Sequence, residues 1–455
     1  MLNESFLNRM RDLLGDEYGA FIHALTEEAP VRGARVNRIK SRDGALPPLE
    51  GFTARKIPYT DGGYILEGDG QIGKSAAHHA GLIYMQDPGA MAALSAIDIE
   101  PSWRVADLCA APGGKSGQIA ERLGEGGFLL SNEYVPKRAK ILVGNLERLG
   151  ATRCAVTSLD TERLAEYYPS FFDLVVVDAP CSGEGMFRKS EEVRAEWTPD
   201  APRLCAERQR EILRSAYGML RPGGRLLYST CTWSVEENEE IALWLLSEFP
   251  ELQIIPVREE LRLATSDGIP LGGHRELCQT RRCYPHVTEG EGQYVALFEK
   301  SENAPSMTTK VSKSSEKSPN KEEAAAILAF FRDTLTEAPD AKIIKLGENL
   351  LVKMHDCPLP ERGLFMGGVL LGEVRRGILH PSHQLFSALG GLFKRKVELS
   401  GDPMGLRKYL DGEEIEVGES GSGWCVVTYL GAPLGGGKIS GGRMKNHYPK
   451  GLRNK

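Results

Sequence analysis

Between residues 104 and 300, short apolar runs alternate with segments whose apolar residues recur every three or four positions. That alternation predicts strands joined by crossover helices in a mostly parallel, doubly wound sheet. The predicted strands are 104–109, 127–133, 154–159, 173–178 and 224–230, and the stretches 135–149 and 203–220 read as amphipathic helices. A further strand, Gln293–Lys300, is expected antiparallel at the sheet edge. This α/β domain spans 76–300. Residues 1–75 carry two helical patterns and Gly/Pro-rich connections, too little for a large core, and read as an appendage of it. Residues 301–320, with six Ser and three Lys, predict a linker. Beyond it, 321–385 opens on the helical KEEAAAILAFFRDTL as a small first C-terminal domain, and 386–455 reads as a compact β-rich module of short, Gly-punctuated strands.

Composition narrows the classes. A chain of 455 residues holds about three domains. With 41% hydrophobic and 26% charged residues it is neither a membrane protein nor disordered throughout. No apolar run reaches the roughly 18 residues that span a bilayer. The N-terminal MLNESFLNRMRDLL is a polar amphipathic helix rather than a signal peptide, so a cytoplasmic, monomeric protein with reduced thiols is expected. The net charge of -6 makes any anion-binding surface local. Two stretches lack acids: 31–42, with Arg32, Arg35, Arg38, Lys40 and Arg42, and 431–455, with Lys438, Arg443, Lys445, Lys450, Arg453 and Lys455.

The segment VADLCAAPGGKSGQIAERLG passes from a strand through Ala111, Pro112, Gly113 and Gly114 into a helix. It is neither a P-loop, since Cys109 stands where that motif needs its first glycine, nor a G-x-G-x-x-G turn. A nucleotide-like ligand without a dominant polyphosphate remains. Glu133 closes the second strand, where an acid can hold both ribose hydroxyls, and Asp160 ends the third, within reach of a base. Together these acids favour S-adenosylmethionine over a purely structural turn.

Two cysteines sit at neighbouring strand ends: Cys181, three residues after Asp178, and Cys231, between Thr230 and Thr232. Carbon 5 of cytosine is a poor nucleophile until a thiolate adds to carbon 6, and a carboxyl group beside ring nitrogen 3 stabilises the charge that develops. Asp178 suits that role, and a second thiol can assist release. The spacing allows either cysteine to attack. Cys278 and Cys283 are too loosely spaced to predict a metal site.

The chain resembles the Nop/Sun group of S-adenosylmethionine-dependent RNA 5-methylcytosine methyltransferases. The residues that carry the resemblance are DLCAAPGGK (107–115), DAPCSGEGMFRK (178–189), STCTWSVEENE (229–239), RVN (35–37) and QDPGAM (86–91). RCYPHVTEGEGQYVALFEK (282–300) and KNHYPKGLR (445–453) look like the bacterial branch that modifies small-subunit ribosomal RNA and carries a PUA-like RNA-binding domain after a Rossmann-like class I methyltransferase domain. The resemblance implies Cys231 as nucleophile and Cys181 as promoter of release. It implies that Cys109, Ala110, Ala111, Pro112, Gly113, Gly114 and Lys115, with Glu133, Arg138, Asp160 and Asp178, surround the cofactor. Arg35 with Asn37, and Lys445 with Lys450, would grip RNA phosphates, and Tyr448 and His447 would stack on bases or fill a core. The competing expectations are a transfer RNA substrate, or an inactive ribosome-assembly factor that keeps the fold.

Overall fold

The computed structural model describes residues 2–41, 43–307, 316–418 and 421–454; Arg42, Lys455 and the middle of the predicted linker lie outside the described residues. The strands stand where the apolar runs placed them: β1 (Arg104–Asp107), β2 (Phe128–Asn132), β3 (Cys154–Thr157), β4 (Phe172–Asp178), β5 (Leu220–Thr230) and β6 (Gln293–Lys300). Neighbours run in the order β6-β5-β4-β1-β2-β3, all parallel except β6, which is antiparallel to β5. Helices α1 (Gly114–Ala120), α2 (Pro136–Leu149) and α3 (Ala201–Met219) are among the crossovers.

Alternate residues feed two cores. Val105, Leu129, Val156 and Val176 bury one face, and Ala106, Leu130, Ala155 and Val177 the other. A parallel sheet covered on both faces needs such continuous apolar strands. The chain runs outward from β1 to β3 and returns to β4, so the switch point lies between β1 and β4, and a ligand crevice belongs above their carboxyl ends.

Three features depart from expectation. β6 is not an edge strand, because Arg281–Cys283 and Leu252–Ile254 pair along its outer side. At the opposite edge, Leu364–Met366 from the C-terminal half pairs antiparallel with β3, so the catalytic sheet borrows a strand from beyond the linker. The N-terminal part extends past residue 75: its four-stranded sheet takes Ile83–Met85 as its last member, beside Gly33–Val36.

The N-terminal helices Glu4–Leu14 and Tyr18–Thr26 dock Phe6, Met10 and Phe21 onto Trp197 and Trp233 of the catalytic domain. The C-terminal half comprises helix Lys321–Thr334, started by the Asn320/Glu323 capping box, a four-stranded antiparallel sheet, helix His383–Leu389 and a five-stranded sheet. The boundary expected at 385 falls inside that second helix. The five-stranded sheet and the N-terminal sheet share one core, in which Ala34, Leu66 and Ile83 meet Tyr409, Cys425 and Met444.

Candidate active site

β1 ends at the buried Asp107, and the chain then turns into α1. The turn is tied to β2 where the Ala110 N–H donates to the Asn132 carbonyl at 2.9 Å. Gly113 starts α1 with φ +115°, and a Cβ there would lie 3.1 Å from Leu142.

Lys115, buried in the first turn of α1, donates from Nζ to Asp178 Oδ2 at 2.7 Å. The other Asp178 oxygen accepts from Ser229 Oγ at 2.7 Å and Gln293 Nε2 at 3.2 Å. One carboxylate is thus held by donors from α1, β5 and β6, and its orientation is fixed before any substrate arrives.

Beside it, the loops after β4 and β5 bring Cys181 and Cys231 together, with Sγ atoms 3.2 Å apart and both thiols free. The Cys231 carbonyl accepts from the Gly185 N–H at 2.9 Å, which folds the Cys181 loop back over β5. A side chain at Gly185 would meet Gly292 at 2.7 Å and the Cys231 carbonyl at 2.9 Å, so only glycine permits that approach. The neighbouring thiol, together with burial, pushes the Cys181 pKa well above the ordinary thiol value.

Next to the thiols, over the ends of β1 to β3, lies a cleft of about 860 Å³ whose walls include Cys109, Glu133, Arg138, Asp160 and Pro180. Glu133 accepts from the Val135 N–H at 3.0 Å and pairs with Arg138 at 3.2 Å, and Arg138 donates to the Ala111 carbonyl at 3.0 Å. Asp160 spends one oxygen capping helix Thr161–Tyr167. Beneath the crevice floor, Asp107 has one buried oxygen, Oδ1, without a partner, and burial pushes its pKa up to about 7. A cleft of this size, within the ~300–1,000 Å³ typical of small-molecule sites, with acids at successive strand ends, fits a nucleoside-sized cofactor. Of the cofactor residues expected in the turn, Cys109 lines the cleft, whereas Lys115 turns toward Asp178.

Sequence reasoning missed the opposite wall, formed by Arg208, Ile212 and Ser215 of α3, and the two donors Ser229 and Gln293. The helical period of α3 gave its fold but not which face borders the cleft. Nothing local marked Gln293, which reads only as a strand residue.

The structure corrects Arg35 and Asn37 as phosphate grips, while Arg32 and Arg38 of the same stretch are exposed. Arg35 is 2% exposed, pairs with Glu121 and reaches Gln86 at 3.4 Å. Asn37 is 1% exposed and donates to the carbonyls of Gly81 and Leu149 at 2.7 and 2.8 Å. Lys40 is buried against Ser387 and the Pro433 carbonyl. These residues tie domains together and offer nothing to a phosphate. The C-terminal stretch differs: Lys445 and Lys450 are exposed, and Trp424, Lys438 and Lys445 stand side by side across three adjacent strands. Tyr448 is a core residue, its hydroxyl 2.8 Å from His79 Nδ1, while His447 is exposed and packs edge-on against Trp424.

A parallel sheet of this order with its cleft over the β1/β4 switch point is the architecture of S-adenosylmethionine-dependent methyltransferases, here of the Nop/Sun type. A methyltransferase homolog protein from Pyrococcus horikoshii superposes with a TM-score of 0.57 at 28% identity, covering 66% of this chain and 95% of that one. NSun6 from the same organism, solved with SFG, gives 0.56 over 66% and 98% at 20% identity, a likeness of fold. Three family models match in succession: the N-terminal domain of 16S rRNA methyltransferase RsmF over 2–88, 16S rRNA methyltransferase RsmB/F over 94–299, and the methyltransferase RsmF PUA domain over 394–454. Ribosomal RNA small subunit methyltransferase F of Klebsiella pneumoniae (strain 342) is 32% identical, covering 99% of this chain and 96% of its own. The namesake from Vibrio vulnificus (strain YJ016) is 30% identical over 99% and 97%. The chain belongs to the ribosomal RNA small subunit methyltransferase F family, whose cofactor is S-adenosylmethionine.

Proposed function

We propose that this methyltransferase forms 5-methylcytosine in the 16S RNA of the small ribosomal subunit through a temporary bond between Cys231 and carbon 6 of the base. The observation that carries the reading is the pair of thiols 3.2 Å apart beside the anchored Asp178 carboxylate. Addition of the Cys231 thiolate to carbon 6 moves the ring's double-bond electrons onto carbon 5. S-adenosylmethionine, when bound, supplies the methyl group to that carbon. Loss of the carbon 5 proton then re-forms the double bond and breaks the carbon–sulfur bond. Asp178 faces nitrogen 3 and the exocyclic amine, where charge develops. Cys231, continuing from the laddered end of β5, is suited to attack, and Cys181, on the loop after β4, to assisting release.

The target cytosine must leave its stack to reach thiols recessed at the strand ends. Lys438, Lys445 and Lys450 on the C-terminal module serve as phosphate grips that position the RNA. No helix among the described residues is long and apolar enough to cross a membrane, and a cytoplasmic monomer is the simplest form in which the protein meets the subunit.

Bisulfite mapping of small-subunit RNA and transfer RNA from cells with and without the protein tests the reading. A 16S cytosine that loses protection in its absence is expected. Loss confined to transfer RNA moves the substrate class. Failure of the purified protein to transfer label from S-adenosylmethionine to any immature or complete small subunit makes it an assembly factor.

A further inference from the structure

Directly behind the two thiols lies a buried polar cluster that the reaction above does not use. Glu237 is 0% exposed and its carboxylate collects donors from two elements. The Ser182 N–H reaches Oε2 at 2.9 Å, the Ser182 hydroxyl donates to Oε1, and Gln209 Nε2 of α3 donates to Oε2 at 2.9 Å. The same Gln209 amide holds the Pro180 carbonyl at 3.0 Å. Gln209 is oriented in turn by the Tyr228 hydroxyl at 3.0 Å, which also donates to the Glu237 carbonyl at 2.6 Å. Pro180 and Ser182 flank Cys181, so the backbone on both sides of that thiol is fixed by this cluster. Across the gap, Ser182 Oγ lies 2.9 Å from Thr232 Oγ1, and Thr232 is the residue after Cys231.

The two cysteines are held very unequally. Cys231 continues directly from β5, whose ladders to β4 and β6 run to Ser229 and Thr230. Cys181 sits in a loop, where Ala179 makes the last bond to β5 and the Ser182 contacts replace a ladder. Removing those contacts therefore frees Cys181 and leaves Cys231 in place.

We propose that Glu237 is a positioning residue for Cys181: by anchoring Ser182 it holds the second thiol against the first, and so acts on release of the methylated base rather than on attack. This rests on the covalent reading above. Burial of an acid without a basic partner is costly; here three donors to the carboxylate offset that cost, two from Ser182, the residue after Cys181, and one from Gln209 of the helix that supports it. Glu237→Ala removes all three acceptor bonds, whereas Glu237→Gln keeps the volume and the contacts, its amide oxygen facing the Ser182 N–H and Gln209 and its NH₂ donating to the Ser182 hydroxyl, which accepts as readily as it donates. Ser182→Ala keeps the backbone bond and removes both hydroxyl bonds, a milder change to the fold.

The test uses the full chain, a 16S RNA transcript and S-adenosylmethionine, with Cys181→Ala as reference. Turnover, the KM for S-adenosylmethionine, the fraction of protein shifted to an RNA adduct on a denaturing gel, and the melting temperature are measured. The inference predicts that Glu237→Ala lowers kcat about tenfold with KM within about twofold, while the adduct fraction rises above wild type toward that of Cys181→Ala, and that Glu237→Gln stays near wild type in both. Ser182→Ala shifts in the same direction with its melting temperature retained. Turnover and adduct falling together in Glu237→Ala and Ser182→Ala, or an adduct fraction in them equal to wild type, overturns it. If Cys181→Ala itself accumulates no adduct, the covalent reading fails, and the inference falls with it.

Discussion

Arg35→Met separates two roles that its basic sequence context left open. Arg35 and Glu121 are 2% and 3% exposed at their side chains, and their ion pair bolts the N-terminal sheet to the end of α1. Removing one partner of a buried pair leaves the other charge uncompensated and costs ~3–5 kcal/mol. Glu121 keeps one backbone donor, the Arg38 N–H at 3.3 Å, so the lower end, about 3 kcal/mol, applies. With a urea dependence of roughly 3 kcal/mol/M, the midpoint falls by about 1 M. Tryptophan fluorescence suits the measurement, because Trp233 packs against Phe21 of the N-terminal helices at 4.9 Å and reports their docking. The double variant Arg35→Met, Glu121→Met removes the orphaned charge and recovers most of the loss. Affinity for 16S RNA, measured on folded protein, stays within about twofold and its salt dependence is unchanged. An unchanged urea midpoint with RNA affinity down more than about tenfold, and a salt slope reduced by about one, would refute the reasoning and restore Arg35 as a phosphate contact.

The other predictions concern the buried acid that ends β1, the RNA surface and the Cys181 loop. Asp107 has its pKa raised by burial to about 7, above its unfolded value near 3.9; its contribution to stability is full below that unfolded value and is lost as pH rises through about 7. Melting temperatures of the cofactor-free protein between pH 4 and 8 should therefore fall less steeply for Asp107→Asn than for wild type. Lys438→Ala with Lys445→Ala removes two exposed cations from adjacent strands. The slope of log affinity for RNA against log salt should drop by about 0.7–0.9 per lysine, in filter-binding or anisotropy titrations, with urea stability unaltered. Gly185→Ala drives a methyl group against Gly292 and the Cys231 carbonyl. Methyl transfer should fall by more than about a hundredfold while S-adenosylmethionine binding, read by calorimetry, persists.

The alternation of apolar runs and helical periods made the parallel strands legible, because each buried strand is locally apolar on both faces. The strand Leu364–Met366 was not: three residues between glycines carry no period, and their partner, β3, lies two hundred residues earlier. The thiols and Asp178 were legible from chemistry, since a strand end carrying Asp and Cys beside another carrying Cys has few structural uses. Their separation was not, because it is set by Gly185 and by Ser182, Thr232 and Glu237 in three dimensions. In STCTWSVEENE the acids at 236, 237 and 239 look alike, yet Glu237 serves the Cys181 loop and Glu239 pairs with Arg282. Arg35 misled for the same reason: a basic run shows charge, while the acid that neutralises it sits 86 residues away.

The claim on which the account turns is that one particular sulfur bonds to the pyrimidine. A 16S transcript carrying 5-fluorocytosine blocks loss of the carbon 5 substituent, so a base once attacked and methylated stays attached to the protein. After nuclease and protease digestion, mass spectrometry of wild-type protein should find the methylated fluoronucleotide on the peptide containing Cys231. Finding it on Cys181 would reverse the two roles, and recovering both cysteines unmodified beside methylated RNA would contradict the covalent route altogether.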